Sequence, residues 1–228
     1  MSLLKRIISA LILAPLAMAV IYNGGIAYHG FIITVMAIAL FEFFMIARNE
    51  VKKRWRVSVF IFGIFYCIAT YFALMGLRLD YGYILTGLVF IGVWASDIGG
   101  FIFGKLIGGR KLCPSVSPNK TWAGLIGACL FPFIILDGYI AFFARDLTVQ
   151  EAYAWGLGAS LIIGLLGQTG DLFISLLKRR VGLKDTGKLI PGHGGVLDRI
   201  DAMMLVAIVI WGLLNLKVII WNENLLPF

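Results

Sequence analysis

The chain has 228 residues, 61% hydrophobic and only 14% charged, with a formal net charge of +8. Globular domains carry about 25% charged residues, so a water-soluble fold around one buried core is excluded, and basic residues that fall between apolar runs do not read as a nucleic-acid surface. Three cysteines, Cys67, Cys113 and Cys129, stand far apart with no CxxC or Cys/His spacing, which argues against a zinc site or a disulfide framework.

Apolar runs of the length that crosses the hydrocarbon layer recur at 7–22, 26–47, 57–77, 83–103, 121–143, 152–177 and 202–220. They lack the alternation of barrel strands, and backbone in lipid must satisfy its own hydrogen bonds. The expectation is an all-α, polytopic integral membrane bundle of about seven transmembrane helices, one transmembrane domain over residues 1–228. The first run follows Lys5 and Arg6 and passes the small residues Ala17 and Ala19, as a secretory signal does. Apolar sequence continues through Val20, Ile21 and Tyr22, so we read an uncleaved first helix.

Glu42, in the second run, lies about one turn from its basic end and reads as a snorkelling structural residue. The "KKRWR" segment at 52–56 reads as a topology signal that can touch anionic headgroups. Of the 20 basic residues, 17 fall at the amino terminus or after the second, fourth and sixth runs. With alternating spans these share one side, which places the amino terminus in the cytoplasm and the carboxyl terminus outside.

Asp97 interrupts the fourth run and Asp171 the sixth, each about two turns, or roughly 10 Å, from the cytoplasmic end. A carboxylate at mid-helix in a membrane costs about 2.5–3.5 kcal/mol on the insertion scale. Asp137, toward the outer end of the fifth run, reads as structural. Before the fifth run, residues 108–122 combine glycines, prolines, Ser117 and Lys120. That loop suits phosphate oxygens, or is an ordinary basic loop in which Ser117 or Asn119 caps the helix.

Asp171, Ser175 and Lys178 share one helical face at i, i+4 and i+7, and Asp198 and Asp201 share another at i and i+3. Carboxylates from two helices at one level suit a divalent cation with oxygen ligands; alternatively, each pairs with a nearby Lys or Arg or caps a helix. Between them, Gly192, Gly194 and Gly195 let backbone approach a ligand closely. His193 can donate to a phosphate or hold the loop, and Arg199 can orient the flanking aspartates or contact phosphate. The residues therefore point to a metal-dependent site for a phosphate-bearing ligand at the cytoplasmic boundary.

Ser175-x-Leu177-Lys178-Arg179, Lys184-Asp185-x-Gly187, Pro191-Gly192-His193-Gly194-Gly195 and Asp198-Arg199-x-Asp201, in that order, resemble the signature of the phosphatidate cytidylyltransferase (CDP-diacylglycerol synthase) family. Ser117-Pro118-x-Lys120-Thr121-Trp122, Asp97 and Gly170-Asp171-Leu172 are also similar to it, so residues 94–201 carry the catalytic motifs. The resemblance implies transfer of a cytidylyl group from CTP to phosphatidic acid, by an integral protein of the bacterial inner membrane whose active site faces the cytoplasm. It implies Mg²⁺ on Asp171, Asp198 and Asp201, room for a second ion such as K⁺, and a homodimer among membrane lipids. Lys178, Arg179, Lys184 and Arg199 then neutralise phosphates, with Asp97, Ser117, Lys120, Ser175, His193, Gly194 and Gly195 as substrate-binding residues. Two departures from what the resemblance implies are a short amino-terminal side and Ala123, where a polar residue is expected. The rival readings are a transferase acting on another lipid phosphate, a cation transporter lined by Asp97 and Asp171, and an inactive lipid-binding relative.

Overall fold

The computed structural model describes residues 3–143, 149–187, 189 and 194–221. Among them are seven helices, α1 (Leu3–Asn23), α2 (Gly25–Arg48), α3 (Lys53–Asp80), α4 (Gly82–Leu106), α5 (Trp122–Phe143), α6 (Val149–Arg180) and α7 (Leu197–Trp221), in the order expected from the apolar runs. By length and hydropathy α2, α3, α4 and the Gly156–Arg180 part of α6 can each cross a membrane, while the apolar stretches Leu11–Asn23 and Trp122–Gly138 are shorter. The chain is an all-α polytopic membrane bundle.

The loop expected at 108–122 is more ordered than the sequence implies. It folds into an antiparallel ribbon of β1 (Lys111–Cys113) and β2 (Ser117–Thr121), with Lys111 opposite Thr121 and Cys113 opposite Ser117. The chain leaves α4 through Gly108 and Gly109 at φ of 67° and 84°, a left-handed pair that residues with a Cβ rarely adopt. The cap of α5 is neither Ser117 nor Asn119. Thr121 Oγ1 accepts from the Gly124 N–H at 3.0 Å, satisfying a first-turn donor.

Helix α6 is 32 residues long, about 48 Å at 1.5 Å per residue. Its last turn carries Lys178, Arg179 and Arg180, where cations suit the helix dipole. Arg180 Nε donates to Glu50 Oε2 at 2.8 Å, and its guanidinium stacks 4.0 Å from the Trp55 ring centroid. That hydrogen bond, first among the causes, holds the Glu50 carboxyl below its ordinary value. Arg56 also donates to the Glu50 carbonyl. Part of the basic segment at 52–56 thus fastens the α2–α3 turn to the end of α6.

Packing follows the small residues. Helix α5 lies against α4 and α6, α7 against α6 and α3, and α2 against α3. A Cβ at Gly127 of α5 would fall 2.5 Å from the Gly99 carbonyl oxygen of α4, and one at Gly124 would fall 2.9 Å from that of Gly100. A Cβ at Gly164 of α6 would fall 2.5 Å from Cys129 Cα. These three helices touch backbone to backbone, the close approach that small residues permit in lipid, where burial of apolar area drives nothing. The α2–α3–α7 side is packed by larger groups instead, with Phe43, Leu77, Met204 and Val206 fully buried. Replacing Gly127 by Val is expected to destabilise the bundle by about 1–3 kcal/mol, the usual cost of overpacking. Thermal unfolding in detergent reads the effect, with Gly138→Ala, which meets nothing within 4 Å, as an unaffected control.

Candidate active site

The ribbon and three helices bring charged groups together at the basic end of the bundle. A cavity of about 440 Å³ opens between α4, β2, α5 and α6, lined among others by Asp97, Lys105, Lys120, Gln168 and Asp171. Lys120 reaches it from β2, its ammonium 2.7 Å from Asp171 Oδ2 and 2.8 Å from Gln168 Oε1. Ser175, one turn beyond Asp171, donates to Asp171 Oδ1 at 3.1 Å. The shared face read from the i, i+4 spacing therefore exists, and both oxygens of Asp171 are engaged.

Lys178 continues that face but turns to α7. Its ammonium donates to Asp198 Oδ1 at 2.5 Å, with both side chains nearly enclosed, at 9% and 6% exposed. Asp198 Oδ2 accepts the N–H groups of Thr186 (2.8 Å) and Gly195 (3.0 Å). Gly194 sits at φ 87°, and a Cβ there would fall 2.9 Å from Asp198 Oδ2. At Gly194, where the sequence suggests room for a ligand, the space is taken by a carboxylate of the chain itself.

Asp201 does not follow Asp198. It is 7% exposed, accepts from the Ala202 N–H at 2.8 Å, and lies within electrostatic reach of Asp171 and Asp97. Asp97 and Asp171 thus line the cavity, Asp198 sits on its lysine, and buried Asp201 lies between them, within reach of Asp171, Asp97 and Lys178. Helices α6 and α7 meet closely here, since a Cβ at Gly170 would fall 2.6 Å from the Asp201 carbonyl oxygen.

Other expected residues lie at the margin. Arg179 donates to the carbonyls of Val116 (3.2 Å) and Leu183 (3.3 Å), tying the ribbon's turn to the end of α6. Ser117 begins β2, Lys184 is exposed on the loop after α6, and Arg199 is exposed on the first turn of α7. His193 and Gly192 lie outside the described residues.

Among the described residues, no three His, Cys, Asp or Glu side chains stand close enough to hold a metal unaided. The side-chain atoms lining the cavity that could ligate a cation are oxygens, of Asp97, Asp171, Asn119, Gln168 and Thr121. That fits Mg²⁺, which takes one or two carboxylates, keeps waters and completes its shell with substrate phosphates, better than a cation that needs a closed protein cage.

Three residues matter more to the site than their sequence context suggests. Gln168, three residues before Asp171, was legible as a polar group on the same face of an apolar helix. Thr186 carries no sequence signal of its own. Glu42 had been read as snorkelling, yet it is 3% exposed and caps another helix. Its Oε1 accepts from the Val196 N–H (2.9 Å), and its Oε2 from the Leu197 N–H (2.8 Å) and the Thr186 hydroxyl (2.6 Å). Snorkelling fails because those N–H groups, left over at the start of α7, lie inside the bundle and need an acceptor there.

Residues 45–217 match the sequence profile of the cytidylyltransferase family. A phosphatidate cytidylyltransferase of Brucella suis biovar 1 (strain 1330) is 35% identical over 196 residues, covering 83% of this chain and 66% of that protein. One of Brucella abortus biovar 1 (strain 9-941) has the same identity and coverage. One of Staphylococcus aureus (strain COL) is 44% identical over 117 residues, 51% of this chain and 44% of that protein. The chain thus spans just under two thirds of the Brucella proteins and under half of the Staphylococcus protein. Because the family match runs from the end of α2 to near the end of α7, it takes in Asp97, Lys120, Asp171, Lys178, Asp198 and Asp201 but not Glu42, and the chain belongs to the cytidylyltransferase family.

Proposed function

We propose that the chain transfers the cytidylyl group of CTP to phosphatidic acid, giving CDP-diacylglycerol and pyrophosphate. The observation that carries this reading is the convergence of Asp97, Asp171 and Lys120 on one cavity at the basic end of an apolar bundle. A site there is within reach of both a lipid headgroup and a water-soluble nucleotide. An oxygen of the lipid phosphate attacks the α-phosphorus, and the bond from that phosphorus to the oxygen bridging to the β-phosphate breaks. The lipid phosphate is ionised at neutral pH, so no residue need serve as a general base, and His193 is given no such role.

What the residues must supply is charge and position. Two polyanions meet where the dielectric is lower than in bulk water and their repulsion correspondingly larger. Lys120 and Lys178 present ammonium groups held in place by their carboxylate partners, while Lys184 and Arg199 lie exposed on the loop after α6 and the first turn of α7. Mg²⁺ would be held by Asp171, with Asp97 and Asp201 within electrostatic reach of it and Asp198 joining only on leaving Lys178, and it would supply neutralisation of the phosphates and of the leaving pyrophosphate. The reading includes a homodimer and a place in the bacterial inner membrane with the site and the amino terminus cytoplasmic. The orientation is supported by the 17 of the 20 basic residues that fall on one side when the spans alternate.

Purified in detergent with Mg²⁺, labelled CTP and phosphatidic acid, the chain is expected to form CDP-diacylglycerol. Asp171→Asn should lower kcat by about 10²–10³-fold, the scale of losing one preorganised electrostatic group. Product with a polyprenyl phosphate but none with phosphatidic acid would move the assignment to another lipid phosphate. Ion flux through liposomes without any CTP binding would move it to a transporter. Chelation with EDTA should abolish turnover and added Mg²⁺ restore it; activity that survives chelation would remove the metal from the mechanism. Asp198→Asn reports on folding as well as chemistry, since it strips the buried Lys178 of its counter-charge. Its expected cost is about 3–5 kcal/mol of stability, read by thermal unfolding beside Asp171→Asn.

A further inference from the structure

Glu42 raises a separate question, because it belongs to α2, precedes the family match at 45–217 and touches neither the cavity nor its lining residues. Its three hydrogen-bond donors all belong to the segment that carries Asp198. A helix start is ordinarily capped by the residue just before it, but here that residue is Val196, which has no side-chain acceptor. The acceptor comes instead from a helix more than 150 residues away in the chain, at |i−j| of 154 and 155. The loop is shaped to admit it, for a Cβ at Gly187 would fall 2.6 Å from Glu42 Oε1, and one at Gly195 would collide with Thr186 and Glu42.

The consequence reaches Asp198 by two routes. The Thr186 hydroxyl stands 2.6 Å from Glu42 Oε2 and 3.1 Å from Asp198 Oδ2, and has one proton, so the shorter contact takes it. Anchored in that way, Thr186 aims its own N–H at Asp198 Oδ2. The other donor to that oxygen, Gly195 N–H, immediately precedes the two amides that Glu42 holds. Both donors that orient Asp198 are therefore fixed by Glu42, and Asp198 in turn fixes the Lys178 ammonium at 2.5 Å.

From this we infer that Glu42 is a positioning residue for the reaction, acting through Thr186 and the start of α7 on the Asp198–Lys178 pair. The inference rests on the function assigned above. Its test compares Glu42→Gln, Thr186→Val and Thr186→Ser in the full detergent-purified chain, measuring kcat, KM for both substrates, and folded fraction by thermal unfolding. Displacing the pair by about 1 Å is expected to lower kcat about 10²-fold in Glu42→Gln and Thr186→Val, with KM changed by less than about threefold, as for an interaction made in the transition state. Thr186→Ser, which keeps the hydroxyl, should retain wild-type kcat. A wild-type kcat in Thr186→Val, or a loss in Glu42→Gln that only tracks its folded fraction, overturns the inference. If the wild-type chain makes no product, the assigned function falls, and amide hydrogen exchange over 186–201 decides the positioning. Faster exchange there in Thr186→Val but not in Thr186→Ser supports it, and unchanged exchange in both overturns it.

Discussion

The Lys178–Asp198 pair is the contact on which the rest of the site depends. It joins the last turn of α6 to the first turn of α7, and both side chains are almost removed from solvent. An ion pair taken out of water recovers its desolvation cost only when the geometry is good and the remaining lone pairs are satisfied. Here the second carboxylate oxygen has two backbone donors, and the segment supplying them is held by another buried carboxylate, Glu42. The charged groups are therefore nested, each acid making the burial of the next tolerable. Such a network is costly to interrupt at any point, because each member leaves an unsatisfied neighbour behind.

Close helix contact is the second condition. Asp97 and Asp171 come from different helices, and Lys120 from a ribbon between α4 and α5. They meet because Gly99, Gly100, Gly124 and Gly127 let α4 and α5 touch at the backbone, and Gly164 does the same for α5 and α6. Larger residues at those points would widen the cavity and draw Lys120 off Asp171. The cavity's wall and its chemistry are thus set by the same small side chains.

The helices were legible because twenty apolar residues in a row admit few other solutions in lipid, and the family signature stood out because its charged residues occur in a fixed order. What could not be read was which partner each charge would choose. Asp198 and Asp201 share a helical face by spacing, yet Asp198 pairs with Lys178 while Asp201 is buried and accepts from the Ala202 N–H. That choice depends on how α6 and α7 cross at Gly170, which no local pattern encodes. The ribbon at 111–121 was missed for a related reason. Its strands are three and five residues long and held by pairing across a short turn, too short for periodicity to register. Glu42 was visible as an acid in an apolar run but misread, since its purpose lies with backbone amides some 150 residues later.

The pairing also constrains how a polyanion can be drawn in. Lys120 and Lys178 are largely enclosed, at 15% and 9% exposed, and each already faces a carboxylate at 2.7 Å or less. Their charge is mostly cancelled at a distance, because a close ion pair presents only a dipole to an approaching ligand. Positive field at a distance comes instead from exposed residues, among them Lys105, Arg110 and Lys111 around the cavity and the ribbon, and Lys184 and Arg199 on the loop after α6 and the first turn of α7. Exposed charges of this kind govern encounter and are screened by salt over about 8 Å at physiological ionic strength. The enclosed lysines act at contact range, where their direction has been fixed by the carboxylates that hold them. The basic excess of the sequence therefore divides into two jobs, an outer set that gathers phosphate and an inner set that places it, and the aspartates separate the two.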